Sequence, residues 1–223
     1  MINLKAMPLI VTCEHASNKV PSYLKKYFLE EESILKTHHA YDIGVEAIFN
    51  QVIKKWNPFY SCKGKYSRLC IDLNRSLRHP KLFSDLSKAA PIEIKKRLLQ
   101  EWSSYRDPII SAIRKQRLSH KNKDVFHLSV HSFTPKMNNI ERNADIGILY
   151  DPARSLEKEV ALELKKRILQ QNPLLKIKMN YPYLGKSDGF ATSLRKEFSK
   201  GYVGIELEIN QKIIDLDFKL PCI

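Results

Sequence analysis

Cysteine is scarce in this sequence of 223 residues, and long apolar runs are missing. The four cysteines are widely spaced and form no CxxC pair, which argues against a disulfide scaffold and against a zinc finger: Cys13, Cys62, Cys70 and Cys222. No stretch reaches the roughly 18 consecutive apolar residues of a membrane span, and the first residues lack the apolar core of a signal peptide. We therefore expect a cytoplasmic protein with reduced thiols and no membrane contact.

Acidic residues are also in deficit, because 24 Asp and Glu face 38 Lys and Arg, which gives a formal charge of +14. Such a charge suits nucleic acid, an anionic membrane surface or a small acidic substrate, and it also suits a merely solvated surface. The basic residues are dispersed along helical segments, without an aromatic-interleaved stripe or an RNA-binding signature. These observations argue against nucleic acid, whereas the charge alone does not choose between a small anionic substrate and the other possibilities.

The remaining composition, with 43% hydrophobic and 28% charged residues, excludes a disordered or fibrous chain. No repeat or low-complexity linker marks a boundary, so one domain over residues 1–223 is expected. Short apolar runs alternate with longer segments of helical period, which is typical of an α/β layered fold. The predicted strands are residues 9–13, 68–73, 125–130, 146–150, 177–180 and 202–209. The predicted helices are residues 45–56, a long segment after Pro91 that is broken or kinked at Pro108, and residues 156–169.

Polar residues interrupt or follow the buried strands in five places. These places read TCEHASN from residue 12, HHAYDIG from residue 38, SRLCIDLNRS from residue 67, HLSVHSF from residue 127 and GIELEINQ from residue 204. Burying polar groups is costly unless they are satisfied or functional, and ligands of open α/β sheets bind at the carboxyl ends of the strands. The sequence therefore predicts a functional site built from these five segments.

Histidines and carboxylates in these segments have the chemistry of a metal site. Strand alternation places His127, Ser129 and His131 on one face, and it places Glu206 and Glu208 on one face of another strand. A single histidine at a strand end is more often a satisfied polar cap, but two histidines with one or two carboxylates would form a zinc site with one open position. A buried glutamate beside it would be a suitable general base.

Arginines and further histidines leave alternatives open. Arg68 and Arg75 are suited to bind a substrate carboxylate, and they are equally suited to structural ion pairs with Asp72 or Asp42. The other histidines lie in polar, Lys-rich surroundings and are expected to be surface residues: His38, His39, His79 and His120.

The ordered blocks CEHASN, HHAYDIG, SRLCIDLNRS, SVHSFTP, ERNADIGILYDP, NYPYLGKSDG and YVGIELEINQ resemble the N-formylglutamate amidohydrolase family from about residue 8 to residue 212. The resemblance implies a three-layer αβα fold with a mixed central sheet. This fold is zinc-carboxypeptidase-like, of the type also called phosphorylase/hydrolase-like. It also implies zinc-dependent hydrolysis of the amide of an N-acylated amino acid, typically N-formyl-L-glutamate to formate and glutamate. Another N-acyl amino acid or a short peptide, or a non-catalytic role in binding an anionic partner, stays open.

The wider zinc exopeptidase and aspartoacylase group, to which this family is similar, binds zinc through an HxxE motif and a later histidine. The resemblance places His15 and His131 at those histidines, whereas Asn18 stands where the group has its glutamate. The missing anionic ligand is then Asp42 or Glu14. Asp42 is preferred because a residue adjacent to a ligand on a strand normally points to the opposite face.

The same resemblance assigns the remaining roles. The catalytic glutamate maps to Glu208, or to Glu206 if the block is aligned on its preceding Gly-Ile. Substrate carboxylates are bound by Arg68, Asn74 and Arg75, with Arg142 as a further candidate. Arg75 is also a catalytic candidate, because a guanidinium can stabilise the tetrahedral oxyanion.

Overall fold

A mixed sheet of six strands forms the centre of the protein in this computed structural model, which describes residues 2–119 and 124–214. The strands in chain order are β1 (Leu9–Cys13), β2 (Tyr60–Lys63), β3 (Val125–Phe133), β4 (Lys136–Met137), β5 (Ile140–Glu141), β6 (Ile146–Leu149), β7 (Ile177–Met179) and β8 (Tyr202–Asn210). The central sheet has the order β2-β1-β3-β8-β6-β7, while β4 and β5 form a separate hairpin. Strands β2, β1, β3 and β8 are parallel, and β6 is antiparallel to β8. The carboxyl ends of β1, β3 and β8 therefore meet at one edge of the sheet.

Helices cover both faces of this sheet. They are α1 (Val45–Trp56), α2 (Asp85–Lys88), α3 (Ile92–Ser119), α4 (Ser155–Gln171), α5 (Phe190–Glu197) and α6 (Gln211–Ile214), with 3₁₀ segments Leu4–Ala6, Ser22–Tyr27 and Leu29–Lys36. Helix α3 runs through Pro108 as one element. Among the described residues, no helix combines the length and apolarity needed to cross a membrane.

Two apolar cores, one on each face of the sheet, hold the layers together. Helices α1 and α4 bury one apolar stripe each against β3 and β8, where Leu128 and Ile205 are fully buried. On the opposite face, α3 and α5 pack through residues such as Ile109 and Leu194. Because each helix presents an apolar face of period 3.6 to the sheet, the arrangement is three-layered. The predicted αβα fold with a mixed central sheet is confirmed.

The alternation of side chains along β3 and β8 places polar residues on one face of the sheet, up to its carboxyl edge. Phe126, Leu128 and Val130 belong to the core beneath α1 and α4, so the intervening side chains of β3 point toward the layer of α3 and α5. The pairing of the two parallel strands sets Ser129 beside Glu206 and His131 beside Glu208. The sheet thereby carries a buried polar face that ends at the shared carboxyl edge.

The predicted strand over residues 68–73 is wrong, and β2 was not predicted. Cys70, Ile71 and Leu73 are buried as the apolar run suggests, but the backbone follows turns rather than a strand. Ser67 holds these turns, because its carbonyl accepts a hydrogen bond from the Cys70 N–H and its hydroxyl donates to the carbonyl of Ala40. A short apolar run can therefore fill a core without joining a sheet.

Smaller differences concern the ends of elements and the thiols. Strand β3 continues to Phe133, three residues beyond the predicted end, and this extension brings His131 into the sheet. Cys13, Cys62 and Cys70 are free thiols. Two residues discussed from the sequence, His120 and Cys222, lie outside the described part of the chain.

Candidate active site

Three buried side chains from separate segments converge at the carboxyl edge of the sheet. His15 follows β1, Asp42 precedes α1, and His131 lies near the end of β3. One ligand atom from each of them lies within 4.8 Å of the others. The Asp42 N–H donates to the carbonyl of His15 over 3.0 Å, and Gly44 adopts a φ of +76° that lets the chain turn from Asp42 into α1. We call these three residues the His-Asp-His cluster.

The donor atoms of the cluster face one another across a small gap. Oδ2 of Asp42 lies 2.9 Å from Nδ1 of His131 and 3.7 Å from Nδ1 of His15. Nδ1 of His15 is buried and has no hydrogen-bond partner among the described residues. Two imidazole nitrogens and one carboxylate oxygen, one of them unpartnered, are the donor set of a divalent metal such as zinc. The cluster therefore fits a metal ion.

The outer nitrogen of each histidine is bound to a second carboxylate. Nε2 of His15 lies 2.7 Å from Oδ1 of Asp72, and Nε2 of His131 lies 3.1 Å from Oε2 of Glu14. Metal-binding histidines characteristically donate their other ring N–H to such a partner, which fixes the orientation of the ring. Sequence reasoning considered Asp72 only as an ion-pair partner and Glu14 only as a ligand.

The carboxylates that contact the two histidines are held in their charged form. Burial opposes ionisation of Asp42, but Arg68 and His15 outweigh it and hold its pKa well below the usual range. Burial likewise disfavours the charged form of His131, but hydrogen bonds to Asp42 and Glu14 raise its pKa well above the usual value. An excess of ionised carboxylates around the two rings favours a bound cation.

Two glutamates of β8 stand beside the His-Asp-His cluster. Burial, which disfavours the charged carboxylate, raises the pKa of Glu208 to about 8 and also raises that of Glu206. Oε2 of Glu208 is buried without a hydrogen-bond partner in the described structure. A carboxyl group whose pKa lies near neutrality can both take up and release a proton near pH 7.

Gly147 allows the chain to close around Glu208. It lies opposite Glu208 in the antiparallel pair of β6 and β8. A Cβ atom at this position would lie 1.7 Å from the carbonyl oxygen of Tyr181 and 3.2 Å from Cβ of Glu208. Only glycine therefore lets the segment that follows β7 approach the glutamate.

Arg68 and Arg75 form the ion pairs that the sequence left as an alternative. Arg68 donates from Nη2 to Oδ1 of Asp42, next to the cluster. Arg75 places Nε 3.8 Å from Oδ2 of Asp72 and donates from Nη1 to the carbonyl of Asp188 over 2.8 Å. Both guanidinium groups nevertheless line the cavity beside the cluster.

Helix α3 holds the segment of Arg75 in place. The indole N–H of Trp102 and Nη1 of Arg106 donate to the carbonyl of Arg75 over 3.0 and 2.9 Å. Asn74 accepts a hydrogen bond at Oδ1 from the Phe190 N–H over 2.6 Å, which ties the segment to the start of α5. The side chain of Asn74 thus has a structural contact as well as a place in the cavity wall.

Arg142 differs from the other two arginines of the cavity. Its guanidinium has no carboxylate within ion-pair distance among residues 2–119 and 124–214. It donates to the hydroxyls of Thr134 over 3.2 Å and Tyr183 over 3.4 Å and to Sδ of Met137 over 2.7 Å, and it lies against the rings of Phe133 and Tyr183. Its charge is therefore available to an anionic ligand.

A cavity of about 980 Å³ joins these groups. The residues predicted for metal binding, catalysis and substrate binding all line it: His15, Asp42, His131, Glu206, Glu208, Arg68, Asn74, Arg75 and Arg142. The cavity also takes in residues to which the sequence assigned no functional role: His38, His39, Asp72, Tyr183, Asp188 and Gln211. Asn18 lies elsewhere and donates from its amide to the carbonyl of Leu35 over 3.0 Å.

A protein family and solved structures are similar to this chain. The family model described as N-formylglutamate amidohydrolase matches residues 7–214. A crystal structure of a gene product from Agrobacterium tumefaciens is 22% identical with a TM-score of 0.75, and the match covers 94% of this chain and 84% of that one. The crystal structure of N-formylglutamate amidohydrolase from Ralstonia eutropha JMP134 is 16% identical with a TM-score of 0.64, covering 93% and 82%. No match is found among the curated proteins. The extent of the family match shows that this chain belongs to the N-formylglutamate amidohydrolase family.

Proposed function

We propose that this protein is a metal-dependent amidohydrolase that cleaves the amide of an N-acylated amino acid, with N-formyl-L-glutamate as substrate and formate and glutamate as products. The observation that carries the proposal is the His-Asp-His cluster with Glu208 beside it, at the base of a cavity that also holds three arginines. Membership of the family gives the class of reaction, and the side chains of this cavity support its individual steps.

The cluster is the proposed metal site, with Nδ1 of His15, Nδ1 of His131 and a carboxylate oxygen of Asp42 as ligands. A zinc ion held there would supply a Lewis acid for the amide carbonyl and would lower the pKa of the attacking water. Arg68 donates to the carboxylate of Asp42 and keeps it ionised, so that Asp42 remains an anionic ligand inside a buried site.

Glu208 is the proposed general base and acid. Its unpartnered Oε2 accepts the proton that the attacking water loses, and it then donates this proton to the nitrogen of the departing amino acid. Glu206 is the alternative for this role. Glu208 is favoured because β3–β8 pairing sets it beside His131, whereas Glu206 lies beside Ser129, two residues further from the carboxyl edge.

The arginines are the proposed substrate anchors. Asn74, Arg75 and Arg68 line the cavity and suit the α-carboxylate, and Arg75 also suits the stabilisation of the oxyanion. Arg142 suits the side-chain carboxylate of glutamate, because its guanidinium has no acidic partner within the described part of the chain. Arginines from two different segments fit a substrate that carries two carboxylates.

A longer N-acylated amino acid or a short peptide is the second candidate substrate. The cavity volume of about 980 Å³ lies at the upper end of the range for small-molecule sites, which leaves room beyond formylglutamate. Both candidate substrates would be cleaved with the same His-Asp-His cluster and the same general base. They differ only in the acyl group or in the amino-acid residue of the substrate that would occupy the outer part of the cavity.

A substrate panel with matched variants tests the proposal. Purified protein should release formate from N-formyl-L-glutamate faster than from N-formyl-L-leucine, and a chelator should abolish the reaction. His131→Ala should lose both bound metal and turnover, while His79→Ala, which lies outside the cluster and the cavity, should keep both. Full deformylase activity of His131→Ala would refute the assignment of the site.

A further inference from the structure

We infer that Glu14 is a positioning residue whose carboxylate fixes the ring of His131 so that Nδ1 faces His15 and Asp42. The inference rests on the proposed function in one respect, namely that the His-Asp-His cluster binds a metal ion. Glu14 has no part in the mechanism above, although it is an acid with only 1% of its surface exposed, directly before a cluster residue in the chain. A buried carboxylate is costly unless its interactions compensate for lost hydration, so its contacts need an explanation.

Both oxygens of Glu14 accept hydrogen bonds. The hydroxyl of Tyr105 donates to Oε1 over 3.1 Å, and the hydroxyl of Ser129 donates to Oε2 over 2.5 Å. The same Oε2 lies 3.1 Å from Nε2 of His131, and Oγ of Ser129 lies 2.9 Å from this nitrogen. These contacts bring together residues of α3 and β3 with the segment that follows β1, on the side of His131 that faces away from Asp42.

The direction of these hydrogen bonds fixes the protonation of the His131 ring. An ionised carboxylate only accepts hydrogen bonds, and the Ser129 hydroxyl already donates its hydrogen to Glu14, so Nε2 of His131 must carry a hydrogen to interact with either of them. When one ring nitrogen carries the hydrogen of a neutral imidazole, the other offers a lone pair. A metal ion in the cluster would displace the second hydrogen of the ring, and the lone pair of the then neutral His131 is at Nδ1, which lies on the side of the cluster, 2.9 Å from the Asp42 oxygen.

The negative charge of Glu14 also favours a hydrogen on Nε2 of His131. Among the described residues, no lysine or arginine lies within ion-pair distance of Glu14, so none competes with His131 for this charge. Asp72, which binds the other cluster histidine, is shared with Arg75 and lines the cavity. Glu14 does not line the cavity, so it is placed to act through His131 and not on the substrate.

Glu14→Gln is the sharpest perturbation, because it keeps the size of the side chain and removes its charge. The full-length protein should bind Zn²⁺ about 10- to 100-fold more weakly in a competition with a chromophoric chelator, as expected when a carboxylate behind a metal-binding histidine is lost. Two control variants should keep an affinity close to that of the wild type. Tyr105→Phe removes only the hydrogen bond to Oε1, and Glu46→Gln removes an acidic charge from the exposed face of α1.

Histidine NMR of the Zn²⁺-loaded wild type provides a second test that does not depend on the folding of a variant. The spectrum should show His131 with hydrogen on Nε2 and metal on Nδ1. Coordination of the metal through Nε2 of His131 would overturn the inference. So would an equal Zn²⁺ affinity of Glu14→Gln and the wild type, or an equal loss of Zn²⁺ affinity in Glu14→Gln and Tyr105→Phe. If the wild type itself binds no metal, the proposed function fails together with the inference, and this outcome is distinct from the other three.

Discussion

Arg142→Gln should change the substrate preference of the enzyme more than its chemistry. The guanidinium has hydrogen bonds to two hydroxyls and a thioether but no acidic partner among the described residues, so its loss does not leave a carboxylate unpaired. A hydrogen bond to a charged group contributes about 1.5–3 kcal/mol, which corresponds to roughly 10- to 150-fold in kcat/KM. We expect a loss of this size for N-formyl-L-glutamate and a much smaller one for N-formyl-L-leucine.

The assay compares kcat/KM for these two substrates in the wild type, Arg142→Gln and a charge-matched control. Arg114→Gln serves as the control, because Arg114 is exposed on α3 and pairs with Glu197 away from the cavity. The control should leave both values close to those of the wild type. Equal losses for the acidic and the apolar substrate in Arg142→Gln would refute the role of Arg142 in recognising the side-chain carboxylate.

Two further predictions concern the polar face of the sheet. Glu208→Gln should lower kcat by about 10²- to 10⁴-fold without loss of bound metal, and a larger effect of Glu206→Gln would transfer the role of base to Glu206. Burial, which disfavours a charged imidazole, lowers the pKa of His127 to about 4, so the unfolded chain binds more protons between about pH 6.5 and 4. This group should therefore reduce the unfolding free energy by about 2–3 kcal/mol from pH 7.5 to 4.5, and urea titrations of His127→Gln should lose that part of the pH dependence.

Periodicity in the sequence was enough to predict the layers and the polar face of the sheet. The strand predicted over residues 9–13 coincides with β1, and the alternation of β3 correctly predicted that His127, Ser129 and His131 share a face. The alternation of β8 did the same for Glu206 and Glu208. These features depend on local spacing, which a sequence displays directly.

The contacts between distant segments could not be read from the sequence. The pairing of His15 with Asp72 and of Glu14 with His131 depends on the order of the strands and on turns that local patterns do not specify. Residues 68–73 show the same limit, because their apolar side chains predict burial but cannot distinguish a strand from a chain of turns. The family resemblance supplied the two histidines and the need for an anionic ligand, and strand alternation then supplied the preference for Asp42 over Glu14.

Metal analysis of the purified protein tests the central claim most directly. The wild type should contain about one equivalent of a divalent metal such as zinc per chain, and a chelator should remove it together with deformylase activity. His131→Ala should bind none at the cluster, and His79→Ala should match the wild type. Full turnover of N-formyl-L-glutamate by metal-free protein would contradict the account.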